Sequence, residues 1–311
     1  MASRLGIIDL GTNTFHLLIV EKTADGTTPL FRISRPARIG KGGINQRVIT
    51  EEATQRALGV LHSFREKLDE YQVSTDHTFA FGTSAIRNAD NSADFCNTIL
   101  RETGIRITVI NGDEEARYIY HGVRSAVDLG SATSLIVDIG GGSVEFIICN
   151  SRQIFWKQSF EIGGQRLLER FMHTDPLHES DRKRLYNYFD EQLIPLANAV
   201  HQYAPSVLVG SSGTFDTLVD MDYQHRTGQW PPQNLKGCDL PLAEFYRSYE
   251  LLLTRNHDER MALPGMIELR VDMIVVAVCL IDYLLRTYGI REIQVSTYSL
   301  KEGVLAVMTE E

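Results

Sequence analysis

Residues 134–149, SLIVDIGGGSVEFIIC, repeat the design of residues 5–20, LGIIDLGTNTFHLLIV, at a constant offset of 129. Each stretch is an apolar run carrying an acid near its end, a Gly-centred polar turn and a second apolar run, which is the pattern of a β-hairpin. The superposition pairs Asp9 with Asp138, Gly11 with Gly140, Thr14 with Ser143 and His16 with Glu145. An offset of this size lies far beyond solenoid periods, so the chain reads as two related domains, each opening with a hairpin whose turn faces a shared cleft. Chance likeness between two buried hairpins is the plainer alternative.

Outward from the hairpins, helix and strand signals alternate. A helix is expected over about 50–71, a strand near 78–81, a helix near 92–102 and a strand over 105–110. Asp113 then reads as the cap of a helix running to about Val127, with Glu114 and Glu115 in a first turn whose dipole favours carboxylates. Alternation of this kind is α/β architecture. The small, polar stretch 128–133 is the expected boundary, giving domains 1–128 and 129–311. Past the second hairpin, a strand at 207–209 leads through GSSG into a helix, and the chain closes with a helix over 271–288, a strand over 293–296 and a helix after Ser299.

Composition narrows the function classes. The chain has 311 residues, 43% of them hydrophobic and 23% charged, enough for two cores and close to the average folded domain. A net charge of −9 disfavours a nucleic-acid polymer or an anionic membrane as partner, so any anionic ligand must be held by a local site. The longest apolar run, Met273 to Ile281 between Asp272 and Asp282, falls well short of the roughly 20 residues a bilayer needs and reads as a buried helix. Asp9 interrupts any secretory h-region, and Cys96, Cys149, Cys238 and Cys279 are too scattered for a metal motif or a disulfide framework. A cytoplasmic protein with reduced thiols is expected.

Five turns rich in Gly or hydroxyl residues follow strands or open helices: DLGTNT at 9–14, GTSAIR at 82–87, DIGGGS at 138–143, IGGQR at 162–166 and GSSGT at 210–214. Consecutive amides in such turns form anion nests, and Gly lets a phosphate approach without a Cβ in the way. Thr12, Asn13, Thr14, Gly140, Gly141, Gly142, Ser143, Gly213 and Thr214 are the phosphate-binding candidates on this reading. Arg87, closing the second turn, offers a planar fork for a phosphoryl group. Arg32, Arg35, Arg38 and Lys41 cluster nearby in sequence, with plain surface charge as the competing reading. Phosphoryl transfer to water also needs a cation on the phosphate oxygens and a base for the water. Asp9, Glu115, Asp138 and Glu145 are the candidate acids, with Asp9 and Asp138 ending strands at corresponding positions and aimed at Mg²⁺. His16 and Glu145 occupy equivalent places on the second strands, although a lone strand His is often structural.

Taken in order, DLGTNTFHLLI, GTSAIRNA, GDEEARYIYHGV, DIGGGSVEF, GSSGT, LPGMIELR and VSTYSLKEG resemble the exopolyphosphatase and guanosine-pentaphosphate phosphohydrolase family over nearly the whole chain. That resemblance implies two ribonuclease-H-like domains of the actin, sugar-kinase and heat-shock ATPase superfamily around a central phosphate-binding cleft. It implies Mg²⁺ as cofactor. It makes Glu115 the catalytic base and Glu145 a second catalytic acid, assigns Asp138 and Glu145, with Asp9, to the metal, and gives His16, Arg87 and Arg270 to phosphate. Val144 stands where Thr is usual, and Thr297, Ser299 and Lys301 where Asp, Gly and Arg are usual. The chain stops at Glu311, like the short members, and with few basic residues it is expected to release long polyphosphate early.

The expected activity is hydrolysis of the terminal phosphoanhydride of inorganic polyphosphate, of guanosine pentaphosphate, or of both, with a link to the stringent response and a homodimer left open. Two alternatives remain at this point: an ATP-dependent small-molecule kinase of the same superfamily, and a non-catalytic sensor of polyphosphate or an alarmone. Retained acids beside a polyanion argue against a pure binder.

Overall fold

The computed structural model describes residues 3–24 and 26–310. The chain divides into two compact units, Met1–Glu115 with Val307–Glu311, and Ala116–Ala306. In the first, β1 (Ser3–Leu10), β2 (Thr14–Thr23) and β3 (Gly26–Pro36) are followed by α1 (Glu51–Glu70), β4 (Thr78–Gly82), α2 (Ser84–Arg87), α3 (Ser92–Thr103) and β5 (Ile107–Val109). The second takes in most of α4 (Gly112–Ala126), then β6 (Ser134–Ile139), β7 (Val144–Cys149), β8 (Ile154–Phe160), α5 (Gly164–Phe171), α6 (Glu179–Gln192), α7 (Ile194–Tyr203), β9 (Val207–Ser211) and α8 (Gly213–Thr227). It continues through β10 (Gly237–Asp239), α9 (Leu242–Thr254), α10 (His257–Met261), α11 (Met273–Tyr288) and β11 (Glu292–Ser296) into α12 (Leu300–Glu310).

Both sheets are built to one plan. The first has the order β3-β2-β1-β4-β5, with β1, β2 and β3 antiparallel and β4 and β5 added in parallel. The second has the order β10-β11-β9-β6-β7-β8, in which β6, β7 and β8 repeat the antiparallel meander and β9 and β11 the parallel additions. This is the ribonuclease-H-like arrangement expected of each domain. The repeat seen in sequence survives residue by residue: Asp9 pairs with His16 across β1 and β2, and Asp138 with Glu145 across β6 and β7.

Helices form where the sequence marks them. Thr50 caps α1 by accepting from the Ala53 amide, and Ala53, Ala57, Leu61, Phe64 and Leu68 form its buried stripe. The run beginning at Met273 is the buried helix α11, its side chains enclosed through Leu285. No helix among the described residues is long and apolar enough to cross a membrane, and the four cysteines are free thiols.

Two details differ from the sequence reading. The cap of α4 is Asn111, not Asp113: Asn111 Oδ1 accepts from the Glu114 amide and Glu114 Oε2 from the Asn111 amide, a reciprocal capping box. The division between compact units falls at Glu115 and Ala116 rather than after residue 128. The body of α4 crosses α12 so closely that a Cβ on Gly303 would lie 1.7 Å from the Tyr118 carbonyl oxygen, and one on Gly122 would lie 2.1 Å from that of Ser299. A polar loop composition carries no trace of that helix crossing.

Candidate active site

The two hairpin turns have matching hydrogen bonds. Gly11 donates its amide to Thr14 O at 3.1 Å, and Gly140 to Ser143 O at 3.0 Å. In both turns a neighbouring segment grips the carbonyls. Thr12 O accepts from the Gly40 amide, and Asn13 O from those of Ala37 and Arg38. In the second turn Gly140, Gly141 and Gly142 carbonyls accept from the amides of Gly164, Gln165 and Gly163. A trans peptide points its N–H opposite its C=O, so the amides of Asn13 and Thr14, and those of Gly141, Gly142 and Ser143, turn away from the gripping segments. That orientation is what an anion nest requires.

The IGGQR turn is therefore a brace rather than a phosphate cradle. Its amides are spent on the DIGGGS carbonyls, and Arg166 adds a bond from Nε to Gly142 O at 2.8 Å. A Cβ on Gly163 would stand 2.5 Å from the Gly141 and Gly142 backbone, which makes glycine obligatory there.

In the first unit, Arg87 at the end of α2 donates from Nη1 to Glu115 Oε2 at 2.7 Å and to Ile110 O at 3.2 Å. Both side chains are largely enclosed, at 15% and 9% exposure. The guanidinium expected to grip phosphate thus also fixes the carboxylate expected to act as base. Of the two adjacent glutamates, Glu114 is used in the cap and Glu115 is the one held by arginine. His16 shares a 2.7 Å hydrogen bond between Nδ1 and Ser34 Oγ on β3, and Thr12, Asn13 and Thr14 are buried.

In the second unit, Asp138 is buried at the end of β6 and accepts from three hydroxyls: Ser211 Oγ at 2.7 Å, Ser212 Oγ at 2.6 Å and Ser299 Oγ at 2.6 Å. Glu145, paired with Asp138 across the strands, accepts from Ser159 Oγ at 2.7 Å. None of these four serines is marked by the sequence reading for its side chain. GSSG drew notice for its backbone, and Ser299 only as a departure from glycine. The other departures are structural here: Val144 is a core residue, Thr297 donates to Leu235 O and Lys236 O, and Lys301 pairs with Glu302 at 3.2 Å.

Ser212 adopts φ 72°, ψ 173°, a region almost reserved for glycine. This conformation turns the chain from β9 into α8, whose first residues are Gly213 and Thr214. Arg270, three residues before the start of α11, lies against that turn: a Cβ on Gly213 would come within 2.1 Å of Nη2. Burial depresses the Arg270 guanidinium's affinity for its proton, opposed by attraction to Asp216 and Asp138. In the first turn of α8, burial pushes the Asp216 carboxyl up to about 7, opposed by Lys301 and Arg270.

Among the described residues no three His, Cys, Asp or Glu side chains gather around one point. A cation here would rest on one or two carboxylates, completed by water and phosphate oxygens, which is how Mg²⁺ is usually held. The donors fit that role. Asp138 and Glu145 are buried like charges on one sheet face, and every hydrogen-bond donor to Asp138 is a neutral hydroxyl. Those hydroxyls occupy three of its roughly four lone-pair positions.

Comparison with known proteins agrees with this architecture. An exopolyphosphatase from Cytophaga hutchinsonii superposes with a TM-score of 0.95 at 48% identity, covering 99% of this chain and 98% of that one. An exopolyphosphatase-like protein matches at TM-score 0.86 and 24% identity over 99% and 98% of the two chains. The Aquifex aeolicus member of the Ppx/GppA family matches at 0.79 and 24% over 100% and 99%. The last two speak for the fold alone. The model of the Ppx/GppA phosphatase family matches residues 18–311, and the chain therefore belongs to that family.

Proposed function

We propose that this protein is an exopolyphosphatase that removes the terminal phosphate of inorganic polyphosphate by attack of water. The observation that carries the reading is Glu115, an enclosed carboxylate held at 2.7 Å by Arg87 at the end of the GTSAIR turn. A kinase must exclude water, and a sensor gains nothing from a carboxylate there. The 48% identity to an exopolyphosphatase supports the substrate class. Guanosine pentaphosphate presents the same terminal phosphoryl group and is the second substrate to test, together with any stringent-response role.

In this mechanism the amides of Asn13, Thr14, Gly141, Gly142 and Ser143, with Gly213, Thr214, His16 and Arg270, bind the phosphate chain. Arg87 orients Glu115, and Glu115 accepts a proton from water as its oxygen bonds to the terminal phosphorus. The bond to the bridging oxygen breaks and the shortened chain leaves. Asp138 and Glu145, with Asp9, would hold Mg²⁺, which would supply positive charge for the phosphate oxygens. Glu145, bonded to Ser159, is the second acid of the reaction.

Phosphate release from long polyphosphate, tripolyphosphate, guanosine pentaphosphate and ATP, each with Mg²⁺, tests the reading. Turnover of the first two is expected, and loss of it on chelation. No turnover of any of the four would end the enzyme assignment, and indifference to chelator would end the metal assignment. The cytoplasm as its location and a homodimer belong to the same proposal.

A further inference from the structure

The two oxygens of Asp138 are not used alike. Oδ2 accepts from Ser211 Oγ at 2.7 Å and from Ser299 Oγ at 2.6 Å, whereas Oδ1 accepts from Ser212 Oγ alone, at 2.6 Å. A carboxylate oxygen has two lone pairs, so Oδ2 is fully occupied and Oδ1 keeps one. Each hydroxyl carries a single proton, and the other oxygens within its reach are further off: Tyr298 O is 3.3 Å from Ser211 Oγ, and the Ser212 and Ser299 hydroxyls are 3.4 Å apart. The carboxylate is the nearer acceptor in every case, and the charged one. The arrangement is anchored on all sides. Asp138 is 4% exposed, Ser211 is fully buried opposite it in the register of β6 and β9, Ser212 sits in the turn into α8, and the Ser299 amide donates to Glu302 Oε2 at 3.1 Å.

We propose that Ser211 and Ser299 are positioning residues that set cation specificity: by occupying Oδ2 they confine Asp138 to coordination through one oxygen, Oδ1, which suits Mg²⁺ and works against Ca²⁺. This rests on the proposed reading that Asp138 holds the cation. Mg²⁺ takes an octahedral shell, keeps several waters and is held by one or two carboxylates. Ca²⁺ takes more oxygens and often both of a carboxylate. Where no three acids gather around one point among the described residues, a carboxylate restricted to one oxygen costs Ca²⁺ a ligand and costs Mg²⁺ nothing. Ser212 separates this role from plain satisfaction of a buried acid. Its bond is as short as that of Ser299, but it lies on Oδ1, so removing it leaves Oδ2 closed.

The test is displacement of Mn²⁺ by Mg²⁺ and by Ca²⁺, followed by electron paramagnetic resonance on the full chain without substrate. It compares wild type with Ser211→Ala, Ser299→Ala, Ser212→Ala, Ser299→Thr and Asp138→Asn. The readout is the ratio of the Ca²⁺ Kd to the Mg²⁺ Kd, in which any loss of folded protein cancels. That ratio should fall on the order of tenfold in at least one of Ser211→Ala and Ser299→Ala, the one that frees the Oδ2 lone pair beside Oδ1. Ser212→Ala and Ser299→Thr should keep the wild-type ratio. An unchanged ratio in both Ser211→Ala and Ser299→Ala overturns the proposal, and so does an equal shift in Ser212→Ala or Ser299→Thr, which would mark a role in packing alone. Mn²⁺ binding that persists undiminished in Asp138→Asn, or is missing from wild type, would instead remove the metal reading of Asp138 on which the proposal stands.

Discussion

Ser212 carries two opposed energies that substitution can separate. Its backbone at φ 72°, ψ 173° costs about 1–3 kcal/mol for a residue with a Cβ. Its hydroxyl donates to the buried Asp138 at 2.6 Å, a bond to a charged group worth about 1.5–3 kcal/mol. Ala loses the bond and keeps the strain. Gly loses the bond and relieves the strain, less roughly 0.5–1 kcal/mol of extra chain entropy. Ser212→Gly should therefore be more stable than Ser212→Ala by about 1.5 kcal/mol, a gap of roughly 3–6 °C in Tm for a unit of this size. The neighbouring Ser211 supplies the control. It bonds the same carboxylate at 2.7 Å from ordinary strand backbone, so there Ala should exceed Gly by about 0.5–1 kcal/mol. Paired melts of the four variants by circular dichroism read the reversal, and phosphate release reads the hydroxyls, whose loss should lower activity in all four. Equal melting of the two Ser212 variants, or the same rank order at both positions, would refute the strain argument.

Glu115→Gln should lower kcat by roughly 10²–10⁴-fold with little change in KM, because the amide keeps an acceptor for Arg87 but takes no proton; near-normal kcat in single-turnover measurements would remove Glu115 from the base role. Arg260 is fully buried and donates to Val271 O, Asp175 and Asp272, so Arg260→Ala should destabilise by about 3–5 kcal/mol, and a loss below about 1 kcal/mol in urea titration would contradict the burial argument. The same Arg260 bonds fix the chain just after Arg270, so KM should rise even where the variant remains folded. Asp216 and Asp220, raised to about 7 and about 6, bind protons in the folded state that the unfolded chain releases near pH 4. Stability should thus fall as pH rises from about 4 to about 7 and level off above, with Asp216→Asn flattening the upper part; a variant-minus-wild-type difference in melting temperature that shrinks as pH rises from about 4 to about 7, instead of growing, would reverse the sign and reject the argument.

What the sequence makes legible is what lies close along the chain or repeats. The hairpins could be read because two apolar runs and a Gly turn fit within sixteen residues, and doubling them exposed the repeat. The site's hydrogen bonds are another matter. Arg87 reaches Glu115 across 28 residues, and Asp138 draws hydroxyls from 73, 74 and 161 residues away. Those partners meet because β9 pairs with β6, setting Ser211 opposite Asp138, and because the chain returns to the same carboxylate at Ser299. Serine is common and carries no periodicity, so only tertiary structure picks these four out. Ser299 shows the point most clearly: compared with a family pattern it is an irregularity, while in the fold it replaces a missing side chain with a donor.

The two hairpins share a scaffold but place different chemistry on it. In the first, the strand acid Asp9 faces His16, whose ring is tied to Ser34. In the second, Asp138 faces another acid, Glu145, and both are buried. Like charges opposite one another on a strand pair destabilise a sheet, and burial sharpens the penalty. Neutral hydroxyls stabilise each carboxylate singly without reducing the repulsion between them. A chain of net charge −9 has no general reason to concentrate acids where a polyanion should bind. A divalent cation held by Asp138 and Glu145 would relieve that repulsion, so under the proposed reading the second hairpin is where removal of the cation should be felt. The two turns are equivalent in sequence position and hydrogen bonding, and they differ at one position, histidine in the first and glutamate in the second.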